Sequence, residues 1–328
     1  MNGVNIGLFD FDWHNALYFF ALNADDQIYL RYGGRDETSP EAYLDLDSLE
    51  LALQQGLEQH HRYQDGKLPR TPRPEPMYPR DIPLLKSEVV AQGRCVECHL
   101  IADYMAQERE FMGTLDKKRD LFVYPDIRRI GIHLDIPKGL EVEEATGPVA
   151  AGGMRAGDTI TGINGTPVLT YGDLQHHYNT IPRDAQRVGF TVSRDGTETP
   201  LTVNLPDEWW YTDLYHRYLS IDPVLYFSSR PLTTDEKRQH GFDPEGFASE
   251  VTRCDPGAKV YKMHELLPGD IIYSVNGIEA DAATQNLEIY IKMNTISGDR
   301  IRLGVIREGE RIAMDAHTLR QGFRKPQW

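Results

Sequence analysis

Residues 154–168, MRAGDTITGINGTPV, and residues 266–279, LLPGDIIYSVNGIE, are one phrase written twice. Gly157 and Gly269, Asp158 and Asp270, Ile160 and Ile272, Asn164 and Asn276, and Gly165 and Gly277 are all separated by the same 112 positions. In each copy Gly-Asp opens a tight turn. A short buried strand follows (Ile160-x-x-Ile163, Ile272-x-x-Val275), and Asn-Gly closes a hairpin because it tolerates positive φ. Helices are expected over about 171–181 and 282–293. Alternating strands come next, at Val188, Phe190 and Val192, and at Ile301, Leu303 and Val305. Arg-Asp-Gly and Arg-Glu-Gly then turn the chain into a last strand. The period is too long for a solenoid unit and suits tandem domains, each a small, partly open barrel. The fold class expected is therefore multidomain and mainly β, with α+β parts.

Working outward, 328 residues predict two or three domains. The chain is 40% hydrophobic and 26% charged, enough apolar material for real cores. A formal net charge of −15 argues against nucleic acid as a partner and against anionic lipid surfaces. No apolar run reaches the roughly 18 residues of a membrane span. The opening MNGVNIGLFDFDWHN lacks the basic and apolar regions of a signal peptide. Three cysteines make no disulfide framework.

The stretch GPVAAGGMRAGDTITGINGTPV (147–168) resembles the PDZ domains of bacterial HtrA-type proteases, with a second copy over 242–320. In that copy Glu265 and Leu266 stand where the pattern has Ala-Gly. The resemblance implies that a partner's C-terminus or extended peptide adds as a strand beside the main helix. It would place the terminal carboxylate on the N–H groups of Ile130, Gly131 and Ile132 in the first copy. In the second the corresponding stretch would be Gly246, Phe247, Ala248 and Ser249. The helical walls would be Leu174, His177 and Tyr178, and Leu287, Tyr290 and Ile291. The chain carries no Gly-Asn-Ser-Gly nucleophile loop, so the likeness transfers fold and not proteolysis.

Near the start, Leu17–Leu22 and Ile28–Tyr32 read as strands around a polar turn, and Ser48 as the N-cap of a helix with Leu49, Leu53, Gly56/Leu57 and His60 on one face. The phrases FDFDWHNALYFFALNADDQIYLRYGGRD (9–36) and HGFDPEGFASEV (240–251) resemble bacterial proteins that join a thioredoxin-like domain to PDZ repeats, some of them predicted selenoproteins. On that resemblance residues 1–65 are the C-terminal half of a thioredoxin-like domain. Its catalytic Cys-x-x-Cys or selenocysteine is then expected upstream of Met1, which would make a longer form a thiol or selenol oxidoreductase.

A proline-rich linker (66–81) leads to a helical segment (82–125) holding Cys95-Val96-Glu97-Cys98-His99. Three chemistries suit this loop. The thiols can anchor a c-type haem with His99 on the iron and Met105, Met112 or His133 as sixth ligand. They can form a redox dithiol. They can bind zinc with His99 and a remote ligand. Two structural cysteines are the plain alternative, as Cys254 is expected to be. Haem attachment would imply export to the cell envelope or periplasm.

The expected order is completed by a PDZ domain over 126–206, an aromatic inter-domain linker over 207–241 and a tail over 321–328. The function expected is a PDZ-repeat adaptor that docks on partner peptides and carries a redox-active Cys-x-x-Cys-His site with a redox partner protein. The alternative is a scaffold without redox chemistry.

Overall fold

The chain enters the fold as a hairpin. Strand β1 (Phe19–Leu22) pairs antiparallel with β2 (Ile28–Tyr32), Phe19 opposite Tyr32. Helix α1 (Leu46–Gln64) follows, and its N-cap is Asp45, whose side chain accepts from the Asp47 and Ser48 N–H groups. Ser48, expected as the cap, lies in the first turn with its hydroxyl 2.9 Å from that of Tyr32. The buried stripe is Ser48, Ala52, Gly56 and Gln59, while Leu53 and Leu57 are 62% and 57% exposed. Small residues decide this: a Cβ on Gly56 would stand 3.2 Å from that of Ala21, so the helix can lie close to the hairpin only on this side.

This computed structural model describes residues 1–212, 223–260, 262–281 and 284–318. The chain divides into two compact units, Met1–Leu219 and Ser220–Trp328. In the first unit, α2 (Pro83–Glu88), α3 (Cys98–Phe111) and α4 (Lys117–Asp120) come after the proline-rich segment. Leu85, Val89, Val96 and Ile101 join Ile6, Phe11 and Trp13 in one apolar cluster. No helix among the described residues is long and apolar enough to cross a membrane.

The first copy of the repeat completes this unit. Strand β3 (Ile132–Leu134) pairs with β4 (Val142–Ala145); then come α5 (Gly147–Ala151), β5 (Thr159–Ile163), β6 (Thr166–Pro167), α6 (Tyr171–Asn179), β7 (Arg187–Arg194) and β8 (Thr197–Asn204). The second unit repeats the plan with β9 (Phe227–Pro231), α7 (Thr234–Gln239), β10 (Ser249–Cys254), α8 (Gly257–Val260), β11 (Ile271–Val275), α9 (Leu287–Asn294), β12 (Arg300–Arg307) and β13 (Glu310–His317). The sheets stay open and do not close into the barrels expected. The first copy splits into β3-β4 and β6-β5-β7-β8, and the second is a single sheet ordered β13-β12-β11-β10-β9.

The shared phrase makes the same bonds in both copies. Val142 N–H donates to Asp158 O and Gly157 N–H to Val142 O, each at 2.8 Å; Val251, Asp270 and Gly269 repeat both bonds at 2.8 Å. Asn164 and Asn276 sit at φ 47° and 52°, and their side chains accept from Gly189 N–H and Arg302 N–H. Asp158 and Asp270 are buried, and Arg194 and Arg307 hold each of them with two nitrogens at 2.7–2.8 Å. The Arg194 hydrogen bonds keep the Asp158 carboxyl below its ordinary pKa, against the opposing pull of burial.

The aromatic stretch expected as a linker is divided between the units. Trp209–Thr212 are buried in the first, with the Trp209 ring 5.0 Å from Tyr178, and Phe227–Pro231 form a strand of the second. The middle of that stretch, 213–222, and the tail, 321–328, lie outside the described residues.

Candidate peptide grooves

In the first copy the groove expected for a guest strand would lie between β3 and α6. No strand among the described residues pairs with the outer edge of β3, and Gly131, at φ 93°, turns the chain into it. Yet Ile130, Ile132, Leu174 and Tyr178 all have no exposed surface, and only His177 is half-exposed. The protein's own N-terminal region covers the helix. Thr170 caps α6 by accepting from Asp173 N–H, and its hydroxyl donates to Arg31 O. The Asp173 carboxylate accepts from Arg31 N–H at 3.0 Å. Gly172 allows this approach, since a Cβ there would stand 2.7 Å from Arg31 O.

Beyond β2 the chain keeps to the same helix. The Arg35 carbonyl accepts from Tyr171 Oη at 3.3 Å and from Gln175 Nε2 at 3.2 Å, and Tyr43 stacks on Tyr171 at 3.4 Å. Asp36 pairs with Arg128, and Glu37 N–H reaches the Asp126 carboxylate. Gly33–Glu37 therefore runs along the Tyr171/Gln175 face and ends just before the turn into β3. The space left beside Tyr171 is about 20 Å³, room for about one water. Arg35 is anchored below by the buried Asp12. Burial opposes the Asp12 carboxylate, but Arg35 and His14 hold its pKa under the usual range.

Burial also pushes the Asp173 carboxyl up to about 6, with Arg31 opposing. It drives His176 down to about 3, assisted by Arg31. Both line a cleft of about 660 Å³ with Asp10, Arg31 and His177.

The second copy departs from the sequence reading in register. Val251 makes the bonds that Val142 makes, so β10 corresponds to β4 and β9 to β3. Cys254 faces Phe227 as Ala145 faces Ile132. Leu225, Tyr226 and Phe227 thus hold the places of Ile130, Gly131 and Ile132, and Tyr226 adopts φ 55° where Gly131 has 93°. Gly246–Ser249, expected there, instead lead into β10 at the centre of the sheet, with Phe247 fully buried and stacked on Tyr290 at 4.5 Å. Leu287 and Ile291 are core. The edge itself is touched by a residue the sequence did not single out: the Glu288 carboxylate on α9 accepts from Ser229 N–H at 2.8 Å and Ser229 Oγ at 3.0 Å. No period-2 alternation marks Tyr226–Leu232 as a strand, so local pattern gave no signal for this edge.

Cys95 is exposed, Cys98 half-buried at the start of α3, and both are free thiols, as is Cys254. The Cys254 thiol donates to Leu266 O, and burial raises its pKa. His99 lies 3.5 Å from Glu97, both largely in solvent. At about 1.5 Å per residue, unbroken α3 sets Met105 about 9 Å, and Met112 on its C-cap about 20 Å, along the axis from His99. Met105 packs in the apolar cluster and Met112 is 66% exposed. His133 lies mid-β3, opposite Glu144. Among the described residues no group of three or more His, Cys, Asp or Glu is arranged to hold a metal ion.

No known family profile matches the chain. Two curated proteins of Pseudomonas putida, from strains F1 and GB-1, each described as a probable periplasmic serine endoprotease DegP-like, are 32% identical over 80 residues. That match takes in 23% of this chain and 17% of the length of each relative. Among solved structures, the HtrA-type protease AlgW with a tripeptide aligns over 40% of this chain and 44% of its own at 19% identity and a TM-score of 0.24. The same protease with a decapeptide aligns over 40% and 41% at 20% identity and a TM-score of 0.23.

Proposed function

We propose that this chain is a peptide-docking protein built on two PDZ-type copies, with the β9 edge of the second copy as its acceptor. The observation that carries this reading is the bond between Ser229 N–H and the Glu288 carboxylate. A guest strand would add at that edge by giving its carbonyl oxygens to outward N–H groups, and Glu288 holds the place of one of them. The local likeness to DegP-like proteases agrees with a PDZ-type unit. In the first copy the comparable helix face is spent on Gly33–Glu37, so that copy serves as the frame on which the N-terminal region is built. Cys95 and Cys98 form a separate, solvent-reachable thiol pair and are no part of the acceptor.

Fluorescence anisotropy with a library of labelled peptides ending in apolar residues tests the reading. Ser229→Pro removes the outward N–H and spares the bonds to β10, as an edge strand allows; it is expected to abolish binding while the far-UV CD spectrum is kept. Glu288→Ala removes the internal competitor and is expected to tighten binding by about tenfold, equivalent to about 1.4 kcal/mol. Peptides that bind Ser229→Pro as they bind the parent would overturn the assignment.

A further inference from the structure

The opposite edge of the second unit carries a separate surface. Strand β13 ends the five-stranded sheet, and no strand among the described residues pairs with its outer side. Backbone direction follows from its neighbour. Arg302 spends its N–H and C=O on Asn276, so Asp315, which faces Arg302, points its own polar groups outward. By alternation Arg311, Ala313 and His317 do the same. His317 N–H is already satisfied by Met263 O at 2.6 Å. Arg311, Ala313 and Asp315 form the free stretch, and all three side chains are exposed.

The first copy protects the same edge twice. Register places Pro200 where the second copy has Ala313, since Arg194 faces Thr197 across one hairpin and Arg307 faces Glu310 across the other. Proline offers no N–H and is a common guard on edge strands. The end of α5 also closes on β8: a Cβ on Gly152 would lie 3.0 Å from Thr202 O. In the second copy His264 stands at the Gly152 position, one residue before Glu265, whose carbonyl accepts from Arg307 as Gly153 O accepts from Arg194. The imidazole occupies that space, with Nε2 3.2 Å from Leu225 O. A cleft of about 1200 Å³ opens beside the strand, lined by Ala313, Met314 and Asp315 on one side and Leu266 and Leu267 on the other.

We propose that this edge pairs with the same edge of a second copy of the chain, strand β13 antiparallel to its twin about a two-fold axis at Ala313. The choice of occupant rests on charge complementarity. With Ala313 opposite its own copy, Arg311 falls opposite Asp315 and Asp315 opposite Arg311, so that both cross-strand pairs join opposite charges. An isologous contact requires this self-matching, and cross-strand pairs of opposite charge favour it. A neighbouring strand would lie roughly 4.8 Å away, on the side where the cleft opens. Arg311 already lies flat over Tyr273, its guanidinium 5.0 Å from the ring centre, which limits what it loses on pairing. The surface involved is small, so the dimer is a weak, concentration-dependent one. It does not depend on the acceptor proposed at β9.

Sedimentation equilibrium on the full chain tests it. The weight-average mass is expected to rise from the 37.4 kDa of one chain towards twice that value as concentration increases into the hundreds of micromolar. Ala313→Pro, which copies the guard of the first copy, should leave a monomer with an unchanged CD spectrum. Arg311→Asp and Asp315→Arg, each placing like charges across the axis, should weaken association about tenfold or more. The double variant should restore it to within about threefold of the parent. A parent that stays monomeric throughout, including one whose β13 edge instead takes up a foreign peptide, overturns the proposal. So does an Ala313→Pro protein that dimerises like the parent, or a double variant as weak as the single ones.

Discussion

The two copies of the repeat share a lock and differ in what surrounds it. In each, a buried aspartate is clasped by an arginine of the strand that follows the helix, and an Asn-Gly turn is tied back to that same strand. Around this constant frame the first copy spends its free surfaces. Its helix α6 receives the N-terminal region, its β8 edge carries Pro200, and α5 closes upon it. Among the described residues, the second copy meets one edge with Glu288 and leaves Arg311, Ala313 and Asp315 of the other unpaired beside a cleft. One phrase of sequence specifies the frame, and single residues outside it, Gly172 beneath the N-terminal region or Pro200 against Ala313, decide whether a surface becomes interior or remains available.

The strongest way to break this comparison is to remove the lock from either side. Arg194→Ala and Arg307→Ala each strand a buried carboxylate whose arginine is itself partly solvated, and each is expected to lower the denaturation midpoint of the unit that carries it. Chemical denaturation followed separately for the two units would read this; a fall in one unit and none in the other would mean that the lock is not equivalent in the two copies.

A smaller effect sharpens the difference between the helices. Gly172→Ala drives a Cβ into Arg31 O and should cost the first unit about 2 kcal/mol, with weakened docking of the β1–β2 hairpin visible as faster amide exchange in β2.

The smallest concerns pH. His176 has its pKa lowered to about 3 by burial next to Arg31, from the ordinary 6.5. The unfolded chain therefore binds a proton below pH 6.5 that the folded chain refuses until about pH 3, and stability falls as pH drops through that window. Asp173, raised to about 6, works the other way: its folded form holds a proton that the unfolded chain releases above its ordinary 3.8, so its contribution fades as pH rises towards 6. His176→Gln should remove about 1–2 kcal/mol of the acid-side loss, because the ring keeps part of its surface in water. Thermal melts between pH 4 and 7 on the parent and on His176→Gln check this. An unchanged acid limb in His176→Gln would show that the histidine is not held neutral.

Much of the frame was legible before any coordinates. The hairpins at Asn-Gly, the alternating strands at 188–192 and 301–305, and helices near 171–179 and 287–294 follow from local turn chemistry and periodicity. Helix α3 falls within the segment expected to be helical but takes in Cys98 and His99, which were expected in the loop before it. The packing face of α1 was half legible: Gly56 and the partly buried Leu49 lie on it as expected, but Leu53 and Leu57 stay in solvent and Ala52 is buried, because close approach to the hairpin selects small side chains. The second groove was misplaced by one strand, because an aromatic-rich run was taken as a linker and its edge strand was assigned further along. Leu225–Phe227 look like packing material until their partner across the sheet is known.

What the sequence by itself determined is the repeated frame: glycine and asparagine at positions that need positive φ, aspartate and arginine at a matched interval, and β alternation between them. These are short-range constraints, and each residue states them alone. Which surfaces remain for a partner is settled only in three dimensions, because burial of α6 depends on a segment more than a hundred residues away, and the free stretch of β13 on what neighbouring segments of its own unit leave uncovered. Their approach is controlled by the volume of one or two side chains, which no local pattern reports.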